Sequence, residues 1–240
     1  AGTTPETSHD LSGLVAFAKD LESRGFDTLW LPNIFGADGV GTCAILGWET
    51  DHIALGTAVT PTYPRHPAAL AQQALTTQVA CSDRFALGIG LSHQLVIEGM
   101  FGMSYDQPAK HMAEYLQILA PLLRGEAADF EGEQLTAKLS LSIREAGEVP
   151  LLVAALGPAM LKLAGTYAHG TSTWMTGPKT IRDHIVPHIS EAAEAAGKPA
   201  PRIVCGLPQN LGFHREIMYF GRFHAHPKIL IWFQLFLKSI

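Results

Sequence analysis

The amino-acid sequence predicts an α/β fold built on a mainly parallel sheet, a (β/α)₈ TIM barrel that looks incomplete. Three observations predict it. Short apolar runs alternate with amphipathic stretches about six times between Asp10 and Leu207, the rhythm of a parallel sheet with crossover helices. The segments that leave successive strands carry the polar, glycine and proline residues, and ligands in such folds sit at the carboxyl ends of the strands. Finally, the chain opens directly on a helix and changes character after Pro208, so a first strand is expected to be absent and the C-terminal segment to be aberrant.

Each element has its own signal. Asp10 to Arg24 is amphipathic, with Leu11, Leu14, Val15, Ala18 and Leu21 on one stripe, and Gly25 stops it. Asp27 to Leu31 reads as a short buried strand, Asn33 to Gly36 as its exit loop, and about Asp38 to Trp48 as a helix. Ile53 to Val59 is the next strand. It leaves through the proline-studded turn Pro61 to Pro67 into a helix ending near Ala80, with proline in the first turn, where a missing N–H costs nothing. The strand Phe85 to Gly90 follows, then polar Leu91 to Gln94, a Gly- and Met-rich segment from Val96 to Gln107, and a helix from about Ala109 to Arg124. Gly125 to Glu148 looks like an inserted β-hairpin. Strand Pro150–Ala155, helix Pro158–Tyr167, strand Gly170–Met175, helix Pro178–Ala196 and strand Arg202–Leu207 complete the regular part.

Residues 1–207 therefore read as one barrel domain and 208–240 as an atypical tail. From Phe213 to Ile240 four Arg or Lys stand against Glu216 alone, a local charge of +3, whereas the whole chain carries −5. Ile229 to Leu237 is apolar enough for a buried strand or helix and is also an aggregation-prone window. With 240 residues, 47% of them hydrophobic, the chain can bury a sizeable core. A pI near 6.1 without a basic stripe argues against nucleic acid. No uninterrupted apolar run reaches the roughly 18 residues of a membrane span, and the polar start lacks the regions of a signal peptide. Cys43, Cys81 and Cys205 form no metal pattern and suit a reducing, cytoplasmic compartment. His184 and His188, four apart, lack the glutamate of a zinc helix and read as surface residues, so no metal site is expected.

Five segments in order carry a resemblance: Gly25 to Pro32, Leu55 to Pro67, Arg84 to Ser92, Leu152 to Pro158, and Ala168 to Trp174. Together they resemble the bacterial luciferase-like superfamily, specifically its oxidoreductases dependent on the deazaflavin coenzyme F420. The resemblance implies a barrel with the cofactor at the carboxyl ends of the strands. It also implies a non-prolyl cis peptide at Ala58–Val59, bulging against the middle of the cofactor ring and favouring the bent, reduced state. It assigns the turn Ala155-Leu156-Gly157-Pro158 to the cofactor's phosphate-bearing tail, where free N–H groups at a helix start suit an anion; read alone, that turn is equally an ordinary βα connection.

The remaining candidates lie at the same strand ends. Gly88-Ile89-Gly90 allows close backbone approach, so Gly90 and Ser92 are assigned to cofactor binding. His93 stands near where the resembling sugar-phosphate dehydrogenases place a catalytic carboxylate. It is the candidate for proton transfer, with a merely hydrogen-bonding role as the alternative. Those enzymes carry an acidic residue followed by histidine where this chain has Asn33-Ile34; Asn33 is left to bond the cofactor head group, and Ile34 suggests an apolar substrate pocket. Trp174 is placed beside the ring system, with burial in the core as its alternative. Arg65 and His66 could meet a phosphate or could fix their own loop. The expected function is hydride transfer between F420 and a small organic substrate. The alternatives are an FMN-dependent luciferase-like monooxygenase and a non-catalytic flavin- or deazaflavin-binding protein or inactive truncated homologue. A small-molecule substrate is the expected partner, with neither nucleic acid nor membrane, and a homodimer is the oligomer considered.

Overall fold

In the computed structural model, residues 10–143, 145–209 and 231–237 are described. The first half runs α1 (Leu11–Ser23), β1 (Thr28–Leu31), α2 (Gly39–Glu49), β2 (Ala54–Thr57), β3 (Thr60–Pro61), α3 (Pro67–Ala80), β4 (Phe85–Gly90), α4 (Gln94–Gly99) and α5 (Pro108–Leu123). It continues through β5 (Ala128–Glu131), β6 (Thr136–Leu139), β7 (Leu151–Ala154), α6 (Pro158–Tyr167), β8 (Gly170–Trp174), α7 (Pro178–Thr180), a π-helical turn (Ile181–Ile185), α8 (Val186–Ala195), β9 (Arg202–Gln209) and β10 (Ile231–Leu237). The sheet order is β1-β2-β4-β7-β8-β9-β10, every pairing is parallel, and β3 runs on beside β4. Strands β5 and β6 form a separate antiparallel hairpin.

The caps explain where the helices begin. Asp10 accepts from the Ser12 N–H at 3.0 Å, Asp38 from the Gly41 N–H at 2.7 Å, and His66 from the Ala68 N–H at 3.2 Å, each satisfying a donor the helix itself cannot. Pro67, Pro108 and Pro158 each occupy a first turn. The π-helical turn precedes Pro187, which has no N–H to offer the carbonyl four residues back; the Val186 N–H instead reaches Ile181 O.

Alternation along the strands divides the core. Leu29, Leu31, Leu55, Phe85, Leu87, Ile89, Leu151 and Val153 pack with α1–α3, α5 and α6 in the main apolar layer. Trp30, Ala86, Leu152 and Val204 point the other way and form a second cluster with Ala58. That second cluster reveals the shape. β1 and β9 are five steps apart in the sheet, about 24 Å in a flat one, yet the Arg202 guanidinium lies 5.4 Å from the Trp30 ring. The sheet is therefore curled into a parallel half-barrel, with the second cluster on its concave side.

Three expectations need correction. The expected continuous strand Ile53–Val59 is broken: β2 ends at Thr57, the Ala58–Val59 peptide is cis, and β3 starts at Thr60. The register steps from Gly56 opposite Ala86 to Thr60 opposite Ile89, so three residues face two, as in a β-bulge. The Gly- and Met-rich segment, for which the sequence predicts no element, opens within helix α4. Helix Pro178–Ala196 is interrupted by the π-helical turn. The apolar run Ile229–Leu237 supplies β10, paired along its length with β9; Phe213, Phe220 and Phe223 lie outside the described residues.

Candidate active site

The chain leaves each strand of a parallel sheet on the same side, so the segments after β1, β2, β3 and β4 converge. They enclose a cavity of about 740 Å³. From the β1–α2 loop come Asn33, Ile34, Phe35 and Asp38; from the β2–β3 break and the proline-rich turn come Val59, Pro61 and Arg65; from the β4 exit come Ser92, His93, Val96 and Phe101.

The floor is built by a substitution of bonding groups. Where the bulge interrupts the β2–β4 ladder, the Thr57 hydroxyl donates to Gly88 O at 2.8 Å and accepts from the Gly88 N–H at 3.0 Å. Both Gly88 backbone groups are thus paired inside a buried sheet. Glycine is required opposite: a Cβ on Gly88 would meet Thr57 O at 2.0 Å, and one on Gly90 would meet Val59 Cγ2 at 2.7 Å. Val59 consequently rests on β4 and faces the cavity.

The polar groups of the rim are largely committed to holding the loops. Asn33 Oδ1 accepts from the Gly39 N–H at 2.9 Å, so its Nδ2 donors are what it can present to a ligand. Asp38 accepts from Arg65 at 2.6 Å, from Gln73 Nε2 at 2.9 Å and from the Gly41 N–H. His66, besides its cap, places Nε2 3.2 Å from Thr136 O. Of the two readings for Arg65 and His66, these bonds support the one in which both fix their loop. Below the rim Tyr63 stacks on His111, ring centroids 4.0 Å apart, and on Tyr105 at 5.1 Å. Burial, with Tyr105 and Asp106 adding to it, pushes the Tyr63 phenol up to about 12, so it holds its proton at neutral pH. Burial likewise lowers the His111 imidazole. His93 differs from all of these. It is exposed at the N-cap of α4 and makes no side-chain bond to that helix, while Ser92 before it adopts φ 63°.

The sequence-derived candidates separate into two groups. Asn33, Val59, Ser92 and His93 line the cavity; Ala58 and Gly90 lie directly behind Val59. Ala155, Leu156, Gly157, Pro158 and Trp174 are at the carboxyl ends of β7 and β8 and are not among its lining. The Ala155 side chain is buried in the main core, leaving only its backbone to a ligand. Gly157 is the N-cap of α6, has no capping side chain, and would meet nothing within 4 Å of an added Cβ. Trp174 is half-exposed. Phe35 and Phe101 were missed as site residues; their rings are 6.4 Å apart across the cavity mouth. Their unusual exposure on loops at strand ends is a property of the folded chain. His184 and His188 are tied to Leu156 O and His184 O. No described helix is long and apolar enough to cross a membrane.

A curled parallel α/β sheet with a cavity at the carboxyl ends of its strands defines a barrel-type α/β protein. The chain belongs to the luciferase-like monooxygenase family, whose model matches residues 1–210. It is 31% identical over 183 residues to the 5,10-methylenetetrahydromethanopterin reductase of Methanolobus tindarius, covering 76% of this chain and 56% of that one. It is also 31% identical over 242 residues to the F420-dependent glucose-6-phosphate dehydrogenase of Nakamurella multipartita, covering 95% and 70%. The coenzyme F420-dependent tetrahydromethanopterin reductase of Methanopyrus kandleri superposes with a TM-score of 0.72 at 22% identity, over 85% of this chain and 65% of that one. The chain is thus shorter than the relatives it matches.

Proposed function

We propose that the chain is an F420-dependent oxidoreductase acting on a small organic substrate. The observation that carries the reading is the convergence of Asn33, Val59, Ser92 and His93 on one cavity at the strand ends, in a chain with F420-dependent relatives. The residues fit a deazaflavin: the cavity offers the aliphatic floor of Val59 and Pro61 to a flat ring, and the Asn33 Nδ2 donors to its polar edge. The uncapped first turn of α6 at Gly157 and Pro158 fits an anionic tail. A bound deazaflavin supplies the hydride chemistry.

What the chain supplies is position and proton traffic. Val59, held by β4, fixes the depth of a ligand; Phe35 and Phe101 narrow the mouth and keep out water. One imidazole nitrogen of His93 takes the proton that a substrate hydroxyl gives up, or returns it in the reverse direction. Titration of the purified chain with F420, followed by deazaflavin fluorescence, tests the reading against a parallel titration with FMN. Saturable binding of F420 supports it. Tight FMN binding without F420 binding would instead favour an FMN-dependent monooxygenase, and binding of neither would remove the cofactor reading altogether. F420 binding with no turnover of any alcohol or carbonyl substrate would favour a binding protein.

A further inference from the structure

We infer that the substrate seat of this cavity takes an uncharged molecule with an apolar body and excludes phosphate esters. The inference rests on the oxidoreductase reading above and names its substrate class. Three features carry it, and the first is the wall. Ile34, Phe35, Val96 and Phe101 line the outer part of the cavity, and Ile34, Phe35 and Phe101 are all substantially exposed there, so apolar surface awaits an apolar partner. The paired rings of Phe35 and Phe101 come from two loops and form a lip against which an aliphatic or aromatic body packs.

The second feature is charge. Among the described residues lining the cavity, Arg65 is the one permanent cation, and it is 2.6 Å from Asp38 Oδ1. Asp38 is itself held in place through its other oxygen by Gln73 and by the Gly41 N–H, so its carboxylate cannot move away from Arg65 without breaking the α2 cap. A phosphate dianion brought to Arg65 would meet the Asp38 carboxylate beside it, and this like-charge contact is a built-in repulsion. The third feature is the helix ends. At α2 the Gly39 and Gly41 N–H groups already bond Asn33 and Asp38, and at α3 the Ala68 N–H already bonds His66. At these two helix starts the Gly39, Gly41 and Ala68 donors are therefore filled from within the chain, and α4, which opens on His93 without a side-chain cap, is only six residues long.

Saturation-transfer NMR on the full chain tests this, using cyclohexanone, glucose 6-phosphate and inorganic phosphate as probes, with and without F420. Cyclohexanone is expected to bind at least tenfold tighter than either phosphate. Phe101→Ala should weaken cyclohexanone about tenfold by removing one ring of the lip. Asp38→Asn keeps the cap acceptor but unpairs Arg65, and should raise affinity for both phosphates at least fivefold. Phosphate binding as tight as cyclohexanone binding in the wild type would overturn the inference, as would no cyclohexanone binding or an unchanged affinity in Phe101→Ala. F420 is titrated separately, so its failure to bind, with the probe preferences intact, would remove the cofactor reading alone.

Discussion

At the scale of single residues, the site depends on side chains that replace backbone bonds as much as on those facing a ligand. Thr57 shows this most clearly, because its hydroxyl pairs both Gly88 groups across the bulge. Thr57→Val preserves shape and removes the hydroxyl, leaving a buried N–H and C=O unpaired, and should cost about 2–4 kcal/mol in urea unfolding. Thr57→Ser keeps the hydroxyl and should lose only about 1 kcal/mol, for the missing methyl; equal losses in the two variants would contradict this role. His93 is the opposite case, an exposed residue without a capping bond. His93→Ala should leave the melting temperature and F420 affinity close to wild type while lowering kcat by about 10²-fold or more, the scale of general acid–base catalysis. Steady-state kinetics beside a thermal melt would separate these, and a variant with wild-type kcat would remove His93 from proton transfer.

At the scale of elements, one residue can join several. The Arg84 guanidinium, just before β4, donates to Gly47 O at 2.9 Å, Thr50 O at 2.7 Å and Ile53 O at 2.6 Å, binding the carboxyl end of α2 to the start of β2. A cation there satisfies carbonyls that the helix leaves open and opposes its dipole. Arg84→Met should lower stability by about 2–4 kcal/mol, read as a fall in the urea midpoint with an unchanged slope. Elements like these were legible in the sequence wherever a local signal marked their ends. Asp10, Asp38, Pro67 and Pro158 announce helix starts that the structure places within a residue, and Phe85–Gly90 is a strand throughout. Helix α4 was not legible because it spans barely two turns and its N-cap forms no side-chain bond. The break in the β2–β3 strand leaves no mark in hydrophobicity, and its place came from the family resemblance. The Phe35–Phe101 lip and the Asp38–Arg65 pair are tertiary: the sequence holds both partners and not their meeting. That is why the polar lining residues Asn33, Ser92 and His93 were anticipated and the apolar wall, Ile34 apart, was not.

At the scale of the whole molecule, the half-barrel is held to its periphery by ionisable groups that the fold keeps in one protonation state, which makes its stability depend on pH in a definite direction. Glu22 on α1 accepts from the Asp51, His52 and Ile53 N–H groups ahead of β2, and Glu114 on α5 accepts from Glu133, Gln134 and Leu135 in the hairpin turn. Burial alone would raise both carboxyls, yet the three backbone donors at each outweigh it, and both lie below the ordinary 4.5. A depressed carboxyl stabilises the fold fully above its unfolded value, and that contribution disappears as pH falls through the folded one. His169 acts at higher pH. Burial lowers it from 6.5 against the pull of Glu148, and its Nδ1 accepts from the Leu151 N–H at 3.0 Å, so the folded chain prefers the neutral ring. The unfolded chain takes up that proton near 6.5, so stability is complete above this value and begins to fall below it; His111, also lowered, adds in the same sense. Thermal melts from pH 8 to pH 3 should therefore show a plateau above about pH 7, a first decline beginning near pH 6.5, and a steeper one below the ordinary carboxylate value. Glu114→Gln should lower the plateau by about 2–4 °C per kcal/mol lost and flatten the acid decline, since its carboxylate no longer has a proton to resist. A melting temperature that stays constant from pH 7 to pH 5, or an acid limb as steep in Glu114→Gln as in the wild type, would show that these groups do not hold the half-barrel together.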